Sequence, residues 1–340
     1  MDFIEYVNGH REDIRSTIMK YIPLKDPIDH YKIVREYSER GGNYRRPGLL
    51  MVTGETFGAS YEKLVLPAAA MQLSEDWILM HDDMEDDSEL RRGRPALHRL
   101  YGKEIAVNAG DAAHIAMWRM LKDYMLSAGP ELGNRVFEKF YNMLEYTVEG
   151  QYLETNFMFN TKVLNNVGED FYYRIVSSKT CYYSVYGPMQ IGAIIAGAEN
   201  ESINALKVIG EPAGIAFQIV DDILDMTADE KKFGKKLYGD LYEGKLTLII
   251  LYTYMNASSS ERNEIDAIYS KPRSQKTSEE IMMLVDTIKK YDGIGYAKEV
   301  AEKYANKARE ALEKHRSLMP ENSFSQIFLS AIDGLYARDR

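Results

Sequence analysis

The chain has little of what marks a secreted, membrane-spanning or nucleic-acid-binding protein. It has one cysteine, Cys181, in 340 residues, which excludes an internal disulfide framework and indicates a reducing compartment. The net charge of −10 argues against a general nucleic-acid binder. Its longest apolar runs, such as residues 191–198, are too short to span a bilayer, and the acidic N-terminus lacks a signal-peptide core. We therefore expect a cytoplasmic protein with no transmembrane segment and no nucleic-acid partner.

Strand patterns and linkers are also scarce. No segment alternates polar and apolar residues convincingly with a period of two, and only 10 prolines interrupt the chain. Apolar residues recur instead at helical spacing, as in Leu73, Trp77 and Met80. The pattern predicts one all-α domain over residues 1–340, a bundle of many helices. Predicted helices cover residues 2–20, 28–39, 49–58, 103–125, 131–158, 168–186, 201–226, 245–256, 261–269, 278–291, 295–317 and 323–338, and another begins at Pro67.

An acidic cluster ends the helix that begins at Pro67. Asp82, Asp83 and Asp86 are three and four residues apart, so they share one helical face. Carboxylates packed in this way repel one another unless a partner of opposite charge lies among them. The segment RRGRP, residues 91–95, follows at once and ends the helix. This charge layout is the first indication of a functional site.

The same spacing returns at Asp221, Asp222 and Asp225, again at the end of an apolar helix. One such cluster alone is more often a solvated helix end, but two identical clusters favour a shared function. Carboxylate oxygens suit Mg²⁺, which typically takes one or two of them and completes its shell with waters and substrate phosphates. Two acidic faces opposed across a bundle core would therefore bind a diphosphate through several Mg²⁺ ions.

Basic residues cluster near both acidic motifs. Arginine and lysine are the usual direct phosphate ligands, although each one taken alone is more often a solvated surface charge. Arg45 and Arg46 form a further pair in the turn GGNYRRP. The residues that the clustering favours as phosphate ligands are Arg91, Arg92, Lys179, Lys235 and Lys245.

From about residue 28 to its C-terminal tail, the chain resembles the trans-isoprenyl diphosphate synthases, the farnesyl/geranylgeranyl diphosphate synthase family. DDMED with RRGRP is similar to the family's first aspartate-rich motif, and FQIVDDILD with GKKLYGD and EGKLTL is similar to its second. GQYLET and SKT resemble two further family blocks. The resemblance implies a multi-helix bundle of the isoprenoid synthase type with a central active-site cavity, and a homodimer.

The resemblance also implies the reaction. An allylic diphosphate ionises to a carbocation, isopentenyl diphosphate attacks it, and the product grows by five carbons in each cycle. Mg²⁺, as three ions with the bound diphosphate, would be held by Asp82, Asp83, Asp86, Asp221, Asp222 and Asp225. The allylic diphosphate would be bound by Arg91, Lys179 and Lys235, with Lys245 close by. Thr180 and Gln218 would lie beside the reacting carbons.

Two positions depart from the family's pattern. Asn43 stands where the family usually has a lysine, and Glu75 where it usually has a histidine. By resemblance both belong to the isopentenyl diphosphate pocket, with Arg45, Arg46 and Arg92. A variant pocket for the same substrate is one interpretation. The alternative is a prenyltransferase or terpene cyclase of the same fold with an altered acceptor. A third class, a non-catalytic subunit of a heteromeric synthase, usually loses aspartate-rich motifs, and both are complete here.

The residues before Asp82 bear on product length. Trp77 resembles the aromatic floor that limits the growing chain in short-chain members, whereas Ser74, a turn deeper, would not block it. Ile78 lies next to the tryptophan on the same helix. We therefore expect products of C15 to C20, with C20 preferred. Plain core packing of Trp77 is the alternative.

Overall fold

The structure is a computed structural model that describes residues 1–161, 164–227 and 237–336. It is all-α, as predicted, apart from one short hairpin in the described residues. The helices are α1 Phe3–Tyr21, α2 Ile28–Arg40, α3 Arg45–Thr56, α4 Tyr61–Glu85, α5 Leu97–Tyr101, α6 Lys103–Ala128, α7 Pro130–Asn156, α8 Glu169–Ile175, α9 Gly187–Ile195, α10 Asn200–Thr227, α11 Gly239–Glu243, α12 Leu248–Asn256, α13 Ser259–Tyr269, α14 Ser278–Lys290, α15 Gly293–Lys314 and α16 Ser325–Tyr336. Short 3₁₀ turns cover Leu164–Asn166, Arg273–Gln275 and Arg316–Leu318.

The chain divides into two compact units, which are described separately. The first comprises residues 1–144, 183–208 and 312–334. The second comprises the described residues of 145–182, 209–311 and 335–336. The expectation of a single domain over residues 1–340 stays a prediction.

Two glycines allow close helix packing in the first unit. A Cβ atom on Gly192 of α9 would lie 2.1 Å from the carbonyl oxygen of Leu50 on α3, so only glycine fits there. A Cβ on Gly110 of α6 would lie 2.4 Å from Nε2 of His81 on α4. The second contact brings the acidic end of α4 against α6.

Helix α4 begins at Tyr61, not at Pro67 as the sequence predicted. Its N-cap, Ser60, has extended backbone, and Pro67 lies inside the helix. A proline removes one backbone hydrogen bond, which usually ends or kinks a helix. Here the fully buried apolar residues 68–71 continue the helix beyond it, so burial outweighs the local penalty.

A short antiparallel hairpin follows α4, formed by β1 (Leu90–Arg91) and β2 (Arg94–Pro95). The two residues between the strands, Arg92 and Gly93, have φ values of 53° and 75°. Positive φ at both positions is what a two-residue hairpin turn of type I′ requires. The sequence predicted no hairpin, because the usual Asn-Gly or Asp-Gly pair is replaced by Arg-Gly.

The helix predicted over residues 168–186 changes its geometry midway. Helix α8 ends at Ile175, and Val176–Tyr186 continue as a π-helical segment. Phe157–Thr161 form a second, shorter one. Such segments are rare and occur frequently at functional sites. The longer segment carries Lys179 and Thr180.

Within the described ranges, α10 is long and apolar enough to cross a membrane by length and composition alone. More than half of its apolar window is buried in the structure, and a core helix passes the same test. The expectation of no transmembrane segment stays a prediction.

Candidate active site

Asp83 of the first acidic motif points into the first unit and is fully buried. Nε of Arg91 donates to its two carboxylate oxygens at 2.9 and 3.0 Å, and Nη2 also donates to Oδ1. The hydroxyl of Tyr37 donates to Oδ2 at 2.6 Å. Such a two-pronged, hydrogen-bonded pair is the arrangement in which a buried carboxylate is tolerated. Asp83 therefore links α4, α2 and the hairpin.

Asp82 and Asp86 form the other part of the motif. They are one helical turn apart, and the amide of Asp86 donates to the carbonyl oxygen of Asp82 at 2.8 Å. Asp82 is half-buried and Asp86 is buried. Because Asp83 is turned toward Arg91, this pair supplies the candidate metal ligands of the first unit.

Arg92 turns to a different carboxylate. Its Nη2 donates to Oδ1 of Asp76 at 2.8 Å, and its Nη1 donates to the carbonyl oxygen of Tyr37. Asp76 is fully buried and also accepts from Ser38 at 2.6 Å and from Gln72 at 3.1 Å. Burial raises the pKa of Asp76, and the charge of Arg92 and the hydrogen bond from Ser38 oppose that rise.

Arg46 is held by three groups in the same unit. Its Nη1 lies 3.1 Å from Oε2 of Glu75, and its Nε donates to the hydroxyl of Ser184 at 3.1 Å. Its guanidinium lies over the ring of Tyr183, 4.6 Å from the centroid. Glu75 also approaches Arg92, at 3.9 Å. Two of the predicted acceptor residues are thus paired with each other.

The remaining predicted acceptor residues lie in the turn before α3. Asn43 is exposed and Arg45 is half-buried. The neighbouring Gly42 packs against Arg92, since a Cβ there would lie 2.8 Å from Nη2 of that arginine. The turn therefore brings its backbone against the Arg92 guanidinium.

Trp77 and Ser74, two of the three residues predicted to set product length, contact different neighbours. The indole of Trp77 packs on His114 of α6, with ring centroids 4.5 Å apart, and is mostly buried. The hydroxyl of Ser74 pairs with that of Tyr183 at 2.9 Å. Ile78, one turn before Asp82, is half-buried. Trp77 is thus braced from α6.

In the second unit, Asp222 is the buried member of the second acidic motif. Its Oδ2 accepts from the hydroxyl of Tyr172 at 3.0 Å, and its Oδ1 accepts from Nε2 of Gln218 at 2.8 Å. Burial raises the pKa of Asp222 to about 7. The two hydrogen bonds oppose this rise, and the charge of Asp221 adds to it. The second aspartate of each motif is thus turned inward and held by a tyrosine.

Asp221 and Asp225 are half-buried, and they lie one helical turn apart, which is the same separation as that of Asp82 and Asp86. Oδ2 of Asp225 accepts from the amide of Asp240 at 3.1 Å, at the start of α11. Burial and the carboxylate of Asp225 raise the pKa of Asp240, whereas Lys245 opposes the rise. The Asp225 carboxylate therefore disfavours a second negative charge beside it at this end of α10, and a bound cation would relieve that repulsion.

Thr180 and Gln218, predicted beside the reacting carbons, are joined directly. Oγ1 of Thr180 donates to Oε1 of Gln218 at 2.8 Å, which extends the network from Asp222 to the π-helical segment. Lys179, on the same segment, pairs with Glu154 of α7. The segment thus presents a cation and a hydroxyl side by side in sequence.

Lys245 lies 2.8 Å from Oε2 of Glu243 and 3.9 Å from Oδ1 of Asp240. Arg273 pairs with the same Glu243, so one glutamate holds two cations. Lys235 lies outside the described residues, and its predicted role stays a prediction.

Among the residues that the structure describes, no group of three or more acidic, histidine or cysteine side chains converges as a ready-made metal cage. Each acidic motif offers a pair of carboxylates on one helical face, and the third member is turned inward. That donor set fits Mg²⁺, which is usually bound by one or two carboxylates together with waters and substrate phosphates. It does not resemble the many-oxygen cage of a dedicated Ca²⁺ site.

Sequence reasoning missed Tyr37 and Tyr172, which hold the inward aspartates, and Glu154, which pairs with Lys179. The two tyrosines precede their aspartates by 46 and 50 residues. No local spacing reports such distant pairs. Glu154, in contrast, lies inside the GQYLET block that the sequence had singled out.

Comparison with known proteins places this geometry in context. The family model described as polyprenyl synthetase matches residues 29–288. The geranylgeranyl diphosphate synthase of Sulfolobus acidocaldarius is 32% identical over 313 residues, which is 92% of this chain and 91% of that protein. The geranylfarnesyl diphosphate synthase of Aeropyrum pernix is 32% identical over 277 residues, 81% of this chain and 84% of that protein. The crystal structure of geranylgeranyl pyrophosphate synthetase from Pyrococcus horikoshii matches with a TM-score of 0.86 and 31% identity, over 99% of this chain and 98% of the other.

Proposed function

This chain belongs to the polyprenyl synthetase family, and we propose that it condenses an allylic diphosphate with isopentenyl diphosphate. It is a short-chain trans-prenyltransferase. The observation that carries the proposal is the pair of matching acidic motifs, on α4 and α10, in a chain similar over nearly its whole length to prenyl diphosphate synthases.

We assign the Mg²⁺ of the reaction to the outward pairs, Asp82 with Asp86 and Asp221 with Asp225. When bound, Mg²⁺ supplies positive charge that stabilises the departing diphosphate. We assign Asp83 and Asp222, which the resemblance counts among the ligands, to holding the ends of α4 and α10 in place. Their burial and their tyrosine partners support that role.

The cationic side chains bind the allylic diphosphate. Asp83 fixes the plane of the Arg91 guanidinium, and Nη1 of that arginine has no hydrogen bond to the described residues. That atom is our candidate donor to a phosphate oxygen. Lys179 is the second candidate, and Glu154 holds its ammonium group before substrate arrives.

Thr180 and Gln218 act on the hydrocarbon side of the reaction. Their mutual hydrogen bond satisfies both polar groups without water. A carbocation is quenched by water, so polar groups that are already paired suit the lining of such a site. This proposal explains why Gln218 donates to Asp222 and accepts from Thr180 at once.

The product is a C20 or C25 prenyl diphosphate, because the similar proteins are named geranylgeranyl and geranylfarnesyl diphosphate synthases. The sequence favoured C20 within a C15 to C20 range. We propose that the growing chain passes over the indole of Trp77, which packs on His114, and that the indole limits the chain near C20.

We place the enzyme in the cytoplasm as a homodimer. The single thiol, Cys181, is buried and suits a reducing compartment. Exposed apolar residues on α6 and α7, including Ile115 and Tyr141, provide a surface of the kind that oligomers cover.

The test is product analysis with Mg²⁺, geranyl or farnesyl diphosphate, and labelled isopentenyl diphosphate. We expect the label in a C20 or C25 prenyl diphosphate. Consumption of the allylic substrate without label incorporation would instead favour a cyclase or a transferase with another acceptor. The observation that favours this second function is the pairing of Arg46 with Glu75, since both residues belong by resemblance to the isopentenyl diphosphate pocket.

A further inference from the structure

Four charged side chains of the first unit form a neutral cluster: Arg46, Glu75, Asp76 and Arg92. Arg46 lies 3.1 Å from Glu75, Arg92 lies 2.8 Å from Asp76, and Glu75 also approaches Arg92 at 3.9 Å. Two positive and two negative charges cancel. A diphosphate that binds these arginines must therefore compete with a carboxylate that belongs to the protein.

The carboxylates of Glu75 and Asp76 differ in how easily a diphosphate could displace them from the arginines. Asp76 is fully buried and accepts hydrogen bonds from Ser38, Gln72 and Arg92, so its removal would leave several buried donors unpaired. Glu75 keeps 15% of its side chain exposed, and no hydrogen bond besides its contacts with the two arginines fixes it among the described residues. Only Glu75 can leave without that cost.

Arg46 keeps its position without Glu75. Ser184 accepts from its Nε at 3.1 Å, and Tyr183 supports its guanidinium face at 4.6 Å. Tyr183 is itself fixed by Ser74, at 2.9 Å. When the Glu75 carboxylate turns away, the guanidinium therefore still presents its Nη1 edge in the same place. A planar guanidinium binds phosphate and carboxylate oxygens with similar geometry.

We propose that Glu75 is a built-in competitor for the acceptor diphosphate: its carboxylate occupies Arg46 and must be displaced before isopentenyl diphosphate binds. Glu75 is thus a specificity-determining residue that weakens acceptor binding and leaves the allylic side unchanged. This inference rests on the proposed acceptor, isopentenyl diphosphate, and on the family resemblance that assigns Arg46 to its pocket.

The test compares the full-length protein with its Glu75→Gln variant, which keeps the shape of the side chain and removes its charge. Steady-state kinetics are measured with labelled isopentenyl diphosphate. We expect the KM for isopentenyl diphosphate to fall by about fivefold, the effect of a partly exposed charge pair. We expect kcat and the KM for the allylic diphosphate to stay unchanged.

Glu261→Gln is the matched control. Glu261 keeps 19% of its side chain exposed, close to the value for Glu75, and it is paired with Lys290 at 2.7 Å in the second unit. Its loss removes an ion pair of the same kind, so a general effect of lost pairing would appear in both variants. We expect its KM values to equal those of the wild type. An unchanged or higher KM for isopentenyl diphosphate in Glu75→Gln would overturn the proposal.

Equilibrium binding of labelled isopentenyl diphosphate, without allylic substrate, separates this inference from the proposed function. Tighter binding by Glu75→Gln than by the wild type supports the competition even if neither protein condenses the two substrates. In that case the proposed function fails and the inference stands. Equal binding by the two proteins, or binding by neither, overturns the inference whatever the turnover.

Discussion

Arg91 and Asp83 form a two-pronged ion pair eight residues apart, and it fastens the hairpin to the last turn of α4. Because Asp83 is fully buried and Tyr37 donates to it as well, the carboxylate has no access to water. The pair therefore sets where the hairpin, and with it Arg92, lies relative to α4.

We expect Asp83→Asn to lower the free energy of unfolding by about 3 kcal/mol, since it leaves a buried guanidinium without its counter-charge. Asp82→Asn is the control on the same helix, and we expect it to change the free energy of unfolding by less than about 1 kcal/mol. Denaturant unfolding of both variants without Mg²⁺ measures the difference. Equal stability of the two variants would contradict the assigned division between inward and outward aspartates.

Asp82→Ala and Asp221→Ala are expected to reduce kcat by about a hundredfold or more and to leave the fold intact, because each removes half of an outward carboxylate pair. Activity over a range of Mg²⁺ concentrations, with circular dichroism as the check of folding, measures both effects. Asp286→Ala, at an exposed position of α14, should retain wild-type activity. Full activity of either Asp82→Ala or Asp221→Ala would contradict the assignment of these aspartates as Mg²⁺ ligands.

The stability of the metal-free protein should depend on pH through Asp222. Burial raises its pKa from 3.8 to about 7. Between these values the folded chain keeps a proton that the unfolded chain has released, so this group's contribution to stability falls as the pH rises from about 4 to about 7. We expect Asp222→Asn to gain stability relative to the wild type over that range.

Denaturant unfolding in a chelator, at several pH values from about 4 to about 8, measures this difference. The expected slope approaches about 1.4 kcal/mol for each pH unit in the middle of the range. A constant difference between wild type and Asp222→Asn at all pH values would show that Asp222 titrates normally.

Trp77→Ala should lengthen the product by one or more five-carbon units, because it removes the indole that His114 braces. Chromatography of the products from labelled isopentenyl diphosphate measures the chain length. Ile78→Ala is the companion variant, since Ile78 is half-buried one turn before Asp82. Lengthening in Ile78→Ala alone would place Trp77 in the core, and His114→Ala should then also leave the product unchanged.

The proposed dimer depends on exposed apolar surface on α6 and α7. Ile115 is 70% exposed, which is unusual for a large aliphatic side chain on a long helix. We expect the wild type to elute as a dimer in light-scattering chromatography and Ile115→Asp to dissociate. Val208→Asp, at a position that is 50% exposed, is the control and should remain dimeric. A monomeric wild type would refute the assembly.

The helices and the two acidic motifs could be predicted because helical periodicity and carboxylate spacing are local properties of the chain. The orientation of single carboxylates could not be predicted in this way. Asp83 and Asp222 turn inward because Tyr37 and Tyr172 reach them from distant helices. The likeness to a family could name Glu75 as a departure, but only the structure pairs it with Arg46.

The π-helical segment Val176–Tyr186 makes the chain sensitive to its own residue count. A π-helical turn is wider than an α-helical turn and holds more residues. In a regular α-helix, each residue is rotated by about 100° from the one before it. Removing one residue from this segment would let it tighten, and Lys179 and Thr180 would rotate away from Glu154 and Gln218. The number of residues in this segment is therefore constrained as strictly as their identity. Deleting one residue other than Lys179 and Thr180 would still separate these two side chains from their partners.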